Sequence, residues 1–178
     1  MNDYVERFRD RIPTKLTGAD FIDKFGMPED PACCIDPRTI YKVRSRTEHQ
    51  IYEHARAVQF YECLSRAART QDERAFTVAG ELMYASHWSY GQRCGLGSIE
   101  TDLLVNLIRR HGEDAGIYGA KVTGRGCGGV VAVLMRDEEQ THAALGGALE
   151  DYSLQTDRRA ALLCGSLAGA LPSGVARL

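Results

Sequence analysis

Residues 117–135, IYGAKVTGRGCGGVVAVLM, decide the fold of this chain. A short apolar segment leads into a run with five glycines in the eleven positions 119–129, and a β-branched run follows from Val130 to Met135. β-branched residues favour strands, and a glycine-rich segment between two such runs favours a tight connection. The stretch therefore predicts two short strands joined by a glycine loop.

The glycine loop, GRGCGG at residues 124–129, matches the GxGxxG pattern of dinucleotide-binding proteins. That pattern binds a pyrophosphate only where a helix follows the loop, and here a strand is predicted to follow. Two interpretations remain open: a hairpin turn that needs only flexible backbone angles, and an anion site built from successive N–H groups. Lys121 and Arg125 add positive charge to such a site, unless both are solvated surface side chains.

Three amphipathic helices are predicted before the loop, because apolar residues recur at helical spacing; Thr47 and Ser98 are placed to cap the first and the third. The first starts at about Thr47, the second runs from Asp72 to near His87, and the third from Ser98 to Gly112. The segment 86–97, SHWSYGQRCGLG, is rich in glycine and hydroxyl groups. It is therefore predicted to be a loop.

The pattern after the loop completes the fold class. A helix is predicted from about Glu138 to Leu149, and two short apolar runs, Ala160 to Cys164 and Gly174 to Leu178, each predict a strand. Together with the two strands around the glycine loop, this order predicts an α+β fold. Its centre is an antiparallel sheet of about four short strands with helices packed on one face.

The chain divides at about residue 46. Residues 1–46 are irregular and contain prolines, with one short helix that Thr17 caps and Gly26 ends, and they are predicted to form a lead-in, linker and edge. Residues 47–178 are predicted to form one domain. A chain of 178 residues can bury a core without a metal or a disulfide.

Composition excludes several classes of protein. The net charge is -2, and no basic run is long enough to follow a nucleic-acid backbone. The six cysteines form no CxxC pair and no zinc-binding spacing, so no metal site is expected among them. The amino terminus lacks the apolar core of a signal peptide, and no apolar stretch is long enough to span a membrane. We expect a cytoplasmic protein with neither nucleic acid nor membrane as a partner.

Residues 119–134, GAKVTGRGCGGVVAVL, resemble the third conserved motif of the GHMP kinases, the family of galactokinase, mevalonate kinase and homoserine kinase. The family pattern is close to GAKxTGAGxGGxxxxL. Arg125 replaces the usual alanine, and its longer charged side chain changes the phosphate geometry or adds a contact of its own. The positions that match are Gly119, Ala120, Lys121, Thr123, Gly124, Gly126, Gly128 and Gly129.

Two further stretches resemble the galactokinase-like branch of that family. SHWSYGQRCGLGSIETDLLV resembles its SHxSL segment, and RTEHQIYEHARA resembles its RxxHxxxExxR helix. His49, Glu53 and Arg56 of the second stretch share one helix face and are predicted to form a charged, hydrogen-bonded row. Such a row is by itself more often an exposed salt-bridge face. Together with the preceding IDPRTIYKVRS, the order resembles plant-type arabinokinases and related bacterial sugar kinases.

The resemblance implies the ferredoxin-like carboxy-terminal domain of an ATP-dependent sugar kinase, using ATP and Mg²⁺ to phosphorylate a sugar hydroxyl. It places Ser86 and His87 near the substrate cleft. It also implies that one loop closes over the nucleotide phosphates, with these candidate cofactor-binding residues: Lys121, Thr123, Gly124, Arg125, Gly126, Cys127, Gly128 and Gly129.

The family's amino-terminal motifs, GRxxxxGEHxD and PxxxGLSSSA, do not occur in this sequence. The resemblance assigns the catalytic aspartate and most metal ligands to that half, so the catalytic residues themselves are unknown here. We expect no turnover by this chain alone, an amino-terminal kinase domain as partner, and self-association through an uncovered apolar face. The alternative is a non-catalytic binding or regulatory module that retains the fold.

Overall fold

A computed structural model describes residues 2–30, 32–70, 72–124 and 129–165. Helices dominate, and four short strands pair antiparallel in two small sheets. The predicted α+β class is confirmed. The arrangement of the strands differs from the prediction, because the described residues form two separate two-stranded sheets rather than one sheet of four.

The amino-terminal segment forms the first sheet. Helix α1 (Asn2–Arg7) precedes strand β1 (Leu16–Thr17), helix α2 (Gly18–Phe25) and strand β2 (Ile40–Tyr41), and β1 pairs with β2. The side chain of Thr17 accepts a hydrogen bond from the backbone N–H of Asp20, and Gly26 ends α2 at a φ of 78°. The helix predicted between Thr17 and Gly26 is confirmed, and α1 is an additional element.

Two long helices follow. Helix α3 (Val43–Thr70) starts four residues before the predicted start, and the hydroxyl of Thr47 donates to the carbonyl of Val43 instead of capping a helix. The prediction of Thr47 as N-cap is therefore wrong, and α3 crosses the predicted boundary at residue 46, which itself stays a prediction. Helix α4 (Glu73–Ser89) packs along α3 and starts where predicted, with Asp72 as its N-cap.

The segment predicted to be a loop, residues 86–97, is helical over most of its length. Helix α4 continues through Ser89, and one π-helical turn follows at Tyr90–Cys94 before Gly95 turns the chain at a φ of 67°. Ser86 and Ser89 are buried against α3, where their hydroxyls have hydrogen-bond partners. Tertiary hydrogen bonds thus support helix where the local propensity predicts a loop.

Helix α5 (Ile99–His111) agrees closely with its prediction. Ser98 and Thr101 form a reciprocal capping box, and Gly112 ends the helix at a φ of 65°. Acidic residues in the first turn and basic residues in the last complement the helix dipole. The sequence alone therefore specified both ends of this helix.

The second sheet is the predicted hairpin around the glycine loop. Strand β3 (Ile117–Val122) pairs antiparallel with β4 (Val131–Met135). Helices α4 and α5 pack against β3, which is buried over almost its whole length. The central core comprises Tyr84, Val105, Leu107, Ile108, Ile117, Ala120, Leu145, Ala148 and Tyr152.

The carboxy-terminal part differs from its prediction. Helix α6 (Glu139–Thr156) continues beyond the predicted end at Leu149 and packs against α5. The segment Ala160 to Cys164, predicted to be a strand, has no regular secondary structure. A short apolar run needs a hydrogen-bonding neighbour to form a strand, and neither β3 nor β4 pairs with this one. The other predicted strand, Gly174 to Leu178, lies outside the described residues.

Candidate functional site

The base of the glycine loop is well defined. The backbone N–H of Thr123 donates to the carbonyl of Val130 at 3.0 Å and closes the hairpin below the loop. Gly124 and Gly129, which flank the loop, have φ values of 74° and 103°, in the region that favours glycine. No described atom lies within 4 Å of a Cβ built on either glycine, so both flanks are open.

The strand that follows the loop excludes the dinucleotide-binding interpretation, as predicted, because β4 offers no helix amino terminus to a pyrophosphate. The remaining candidates for the phosphate site lie outside the described residues. They are Arg125, Gly126, Cys127 and Gly128, and their assignment stays a prediction.

Lys121 is directed toward α3 and α4. Its ammonium donates to the Glu53 carboxylate at 3.1 Å and to the Ser86 hydroxyl at 2.6 Å, and it lies 5.5 Å from the centre of the Tyr90 ring. The lysine of the glycine motif is thus hydrogen-bonded to one residue from each of the other two motifs. We call Lys121, Glu53, Ser86 and Arg56 the lysine cluster.

Glu53 is the centre of the lysine cluster. One of its oxygens accepts from Ser86 and Lys121, and the other accepts from Arg56 at 2.8 Å. Burial by itself would raise the pKa of Glu53, but hydrogen bonds from Ser86 and Arg56 and the charge of Lys121 outweigh it and hold the pKa below its usual value. Glu53 is therefore ionised, and its single negative charge offsets part of the positive charge of Lys121 and Arg56.

Ser86, predicted to lie near the substrate cleft, is only 3% exposed. Its hydroxyl donates to Glu53 and accepts from Lys121, so it bridges α3 and β3. A direct contact with a substrate would require breaking these internal bonds. The cleft assignment of Ser86 stays a prediction, whereas its place in the lysine cluster is a direct observation.

His49 belongs to a neighbouring contact rather than to a row along α3. Its Nδ1 atom lies 2.9 Å from the Ser89 hydroxyl, and its ring meets the Tyr90 ring edge-on at 4.8 Å between centres. The predicted row is right for the pair of Glu53 and Arg56, but His49 bonds to α4. The reason is burial: this face of α3 is covered by α4, so its polar groups bond across the interface.

His87 contacts both β3 and α5. The backbone N–H of Val122 donates to its Nδ1 atom at 3.3 Å, and its Nε2 atom lies 3.3 Å from a carboxylate oxygen of Asp102. Burial, opposed by the charge of Asp102 and assisted by that of Lys121, lowers the pKa of His87. The imidazole is therefore neutral at pH 7, and the other predicted cleft residue lies directly beside the strand that enters the glycine loop.

A second buried ionic group was missed by the sequence analysis. Glu48, 7% exposed, accepts from Arg9 of the amino-terminal segment at 2.9 Å and also from Arg93 in the π-helical turn. Glu48 precedes His49 in the same motif, but nothing in the local pattern distinguishes it from an exposed helical glutamate. Only its distant partners, at residues 9 and 93, reveal its role.

Among residues 2–30, 32–70, 72–124 and 129–165, no group of three or more His, Cys, Asp or Glu side chains could hold a metal ion. Burial raises the pKa of the Cys94 thiol, which makes it a poor nucleophile at neutral pH. Within the same residues, no helix is long and apolar enough to cross a membrane.

Comparisons with known proteins agree with this geometry. Residues 62–151 match the family GHMP kinases C terminal. The chain is 34% identical to L-arabinokinase of Arabidopsis thaliana over 181 residues, covering 98% of this chain and 17% of the relative. It is 30% identical to galactokinase of Clostridium beijerinckii over 110 residues, covering 62% of this chain and 25% of the relative.

The fold also matches a solved structure. Lactococcus lactis galactokinase in complex with galactose superposes with a TM-score of 0.52 at 20% identity, covering 89% of this chain and 36% of that one. At this identity the match shows the fold alone.

The chain belongs to the GHMP kinase family and carries the C-terminal domain found in galactokinases and L-arabinokinase. It spans about a sixth of that arabinokinase and a quarter of the galactokinase.

Proposed function

We propose that this domain supplies the loop that faces the nucleotide phosphates in an ATP-dependent sugar kinase, and that phosphoryl transfer to a sugar hydroxyl requires an amino-terminal domain in addition. The observation that carries the proposal is the glycine-flanked hairpin of a GHMP kinase domain, with Gly124 and Gly129 at positive φ and open on both flanks. Such a backbone can turn successive N–H groups toward one anion.

We propose ATP as the nucleotide, and the exposure of the described base of the loop supports this. Thr123 and Gly124 are exposed, as is Gly129 across the hairpin, so a phosphate chain has access to the backbone on both sides. ATP supplies the transferable phosphoryl group, and Mg²⁺ neutralises the charge that develops on it. We propose Thr123, Gly124 and residues 125–129 as the contacts, with Mg²⁺ ligands mostly in the amino-terminal domain.

Lys121 has a more specific role in this proposal. Its ammonium is held inside the lysine cluster, 3.1 Å from Glu53, rather than extended toward the exposed flank of the loop. A direct bond to phosphate would require Lys121 to leave Glu53 and Ser86. We therefore propose that Lys121 primarily fixes the position of β3 relative to α3 and α4, and so fixes where the loop begins.

The isolated chain is proposed to be catalytically incomplete. Phosphoryl transfer depends on holding the phosphates, the metal and the attacking hydroxyl in line at the same time. The chain spans 17% of the L-arabinokinase and 25% of the C. beijerinckii galactokinase, and it lacks the GRxxxxGEHxD and PxxxGLSSSA motifs. Arabinose and galactose are the first sugars to test. A cytoplasmic location remains part of the proposal.

The test combines binding and turnover. Mg-ATP is titrated calorimetrically into this chain alone and into its mixture with an amino-terminal kinase domain that contains the GRxxxxGEHxD and PxxxGLSSSA motifs. Formation of sugar phosphate from arabinose or galactose is followed in the same samples. We expect weak or no binding and no turnover alone, and both binding and turnover in the mixture.

Gly124→Val should remove nucleotide binding in that mixture, because a β-branched residue does not adopt a φ of 74°. The matched control is Gly26→Val, at a φ of 78° in the amino-terminal segment, which carries a similar backbone cost away from the loop. Equal loss of binding in the two variants would contradict a phosphate-binding loop. Mg-ATP binding without turnover in any mixture would favour the binding or regulatory module instead.

A further inference from the structure

The entrance to the glycine loop is held by a side chain from another element. Val122 is the last residue of β3, it is 1% exposed, and its backbone N–H donates to Nδ1 of His87 at 3.3 Å. A buried N–H without a partner costs free energy comparable to a lost hydrogen bond. His87 therefore satisfies the last buried amide before the chain enters the loop.

The direction of this bond matters. Successive N–H groups of a strand point to opposite edges, and that of Thr123 points to β4, where it bonds to Val130 at 3.0 Å. The N–H of Val122 thus points to the other edge of β3, where the described part of the chain provides His87 and no strand. Two bonds on opposite edges, from adjacent residues, fix the backbone at the point where it leaves the sheet.

The bond also determines the state of the imidazole. Because a backbone N–H is always a donor, Nδ1 of His87 must be the unprotonated acceptor, and the proton of the neutral ring must lie on Nε2. That atom is 3.3 Å from a carboxylate oxygen of Asp102 on α5, and the negative charge there favours a proton on Nε2. The charged groups that act on the ring are Asp102 from α5 and Lys121 from β3, and burial disfavours the imidazolium.

We propose that His87 is a positioning residue for the glycine loop: its neutral imidazole fixes the backbone at Val122, and Asp102 holds it in the tautomer that can do so. The effect on nucleotide binding rests on the proposed function above, whereas the effect on the backbone does not. Protonation of Nδ1 places two donors against each other, which releases the amide of Val122 and with it the start of the loop.

The first test needs no substitution. In the ¹⁵N-labelled chain at pH 7.5, the ring nitrogens of His87 should show a hydrogen-free Nδ1 and a protonated Nε2. As the pH falls and His87 titrates, amide exchange of Val122 should accelerate relative to that of Thr123, whose bond to Val130 does not involve the ring. A protonated Nδ1 at pH 7.5, or a constant exchange ratio across the titration of His87, would overturn the proposal.

The second test compares two substitutions of His87 whose side-chain amides differ in length. In His87→Asn the side-chain oxygen occupies the place of Nδ1 and can still accept from Val122, whereas in His87→Gln the amide reaches only the position of Nε2. We expect the exchange ratio of Val122 to Thr123 to stay near that of the unsubstituted chain in His87→Asn. In His87→Gln the ratio should rise roughly fivefold, which corresponds to the loss of one hydrogen bond. Equal effects of both substitutions would mean that His87 only fills space, and would overturn the proposal.

The nucleotide measurement separates this proposal from the one on which it rests. With the amino-terminal half present, Mg-ATP affinity should fall in His87→Gln and be retained in His87→Asn. If the exchange ratios follow the expected pattern while the unsubstituted protein binds no Mg-ATP, the positioning of the backbone is supported and the phosphate-binding function is not. If nucleotide binds normally to both variants, the positioning role for the loop is overturned and the proposed function stands.

Discussion

At the residue scale, Glu53 connects three motifs that are far apart in the sequence. Its carboxylate is bonded to Arg56 on its own helix, to Ser86 on α4 and to Lys121 on β3. Removing one charge from a partly buried group leaves the opposite charges without compensation, which costs more than the loss of a surface ion pair. The lysine cluster therefore makes these motifs a single structural unit.

Glu53→Gln keeps the shape of the side chain and removes its charge, so Lys121 and Arg56 lose their shared counter-charge. We expect the free energy of unfolding to fall by about 1–3 kcal/mol, measured by urea denaturation. Glu62→Gln, an exposed position on the same helix, is the control and should change it by less than about 0.5 kcal/mol. Similar effects of the two substitutions would show that the cluster contributes no stability.

His49 makes stability depend on pH. Burial, opposed by Glu53 and assisted by Arg56, Lys121 and Arg93, lowers the pKa of His49 below its ordinary value of 6.5. Above that value the ring is neutral in both the folded and the unfolded chain. As the pH falls below it, the unfolded chain takes up a proton that the folded chain resists, so the free energy of unfolding decreases.

We expect the lowered pKa of His49 to reduce the free energy of unfolding by up to about 1.4 kcal/mol for each pH unit below 6.5, until the pH reaches the pKa of His49 in the folded chain. Urea denaturation at pH 7.5 and 5.5 measures the loss, which should be smaller in His49→Asn. His54→Asn, at an exposed position five residues along α3, should lose as much free energy of unfolding between the two pH values as the unsubstituted chain. An unchanged difference between the two pH values in His49→Asn would contradict this assignment. His87 contributes in the same direction and accounts for part of the remaining loss.

At the element scale, α4 crosses β3 at a point where neither backbone tolerates a side chain. A Cβ on Gly80 would lie 1.8 Å from the carbonyl oxygen of Tyr118, and one on Gly119 would lie 2.4 Å from the Cα of Gly80. The close approach of the two backbones sets the distance between helix and strand, and so lets Lys121, two residues after Gly119, reach Ser86 at 2.6 Å.

Gly80→Ala should lower the free energy of unfolding by about 1–3 kcal/mol or more, because the added methyl group forces the helix and the strand apart. Thermal and urea denaturation measure the change. The control is Gly147→Ala within α6, where a Cβ meets no described atom within 4 Å, and it should stabilise the chain by about 0.5–1 kcal/mol. A neutral Gly80→Ala would show that α4 and β3 can separate without cost.

The start of α5 offers a smaller, purely local test. Ser98 accepts from the backbone N–H of Thr101 at 3.2 Å and is half of the capping box. Ser98→Ala should lower the free energy of unfolding by about 1 kcal/mol, and Ser98→Asp, which keeps a capping oxygen, should restore most of it. If both variants unfold like the unsubstituted chain, the cap contributes nothing measurable.

At the scale of the whole molecule, the amino-terminal segment packs on the rest of the chain rather than only leading into it. Arg9 bonds to Glu48 at 2.9 Å, and Arg44 of α3 donates to the carbonyl of Ile12 at 2.8 Å. An apolar pocket lies between Phe21 and Tyr41 on one side and Val43 on the other. The segment and the start of α3 are therefore joined by an ion pair and a hydrogen bond, and both line this pocket.

A chain that begins at Val43 should consequently unfold at a lower temperature than the full chain, because Glu48 loses Arg9 and the pocket at Val43 loses its cover. Calorimetry of the two chains measures the difference. Arg9→Gln in the full chain is the matched control: it removes the charge alone and should account for only part of the loss. An unchanged midpoint in the shorter chain would support the predicted boundary at residue 46.

The self-association expected of the isolated domain stays a prediction and can be measured in the same samples.

Much of the fold could be predicted because its signals are local. The caps Thr17 and Ser98 and the stop at Gly112 depend on groups within a few residues of one another, and all three predictions are confirmed. The hairpin around the glycine loop is a pattern of the same kind. Two predictions were wrong where distant partners decide, because residues 86–94 are helical and 160–164 is not a strand. Thr47 is not a cap because α3 already starts at Val43.

By itself, then, the sequence determined the α+β class, both ends of α2 and α5, the glycine-flanked hairpin and, through three motifs, the family. Only the tertiary structure decided that those motifs meet, with Lys121 on Glu53 and Ser86, and with His87 on the backbone of Val122. The physical reason is the range of the interactions. Capping and turn formation act within a few residues, whereas a buried polar group takes whatever partner the packing of α3, α4 and β3 brings within about 3 Å.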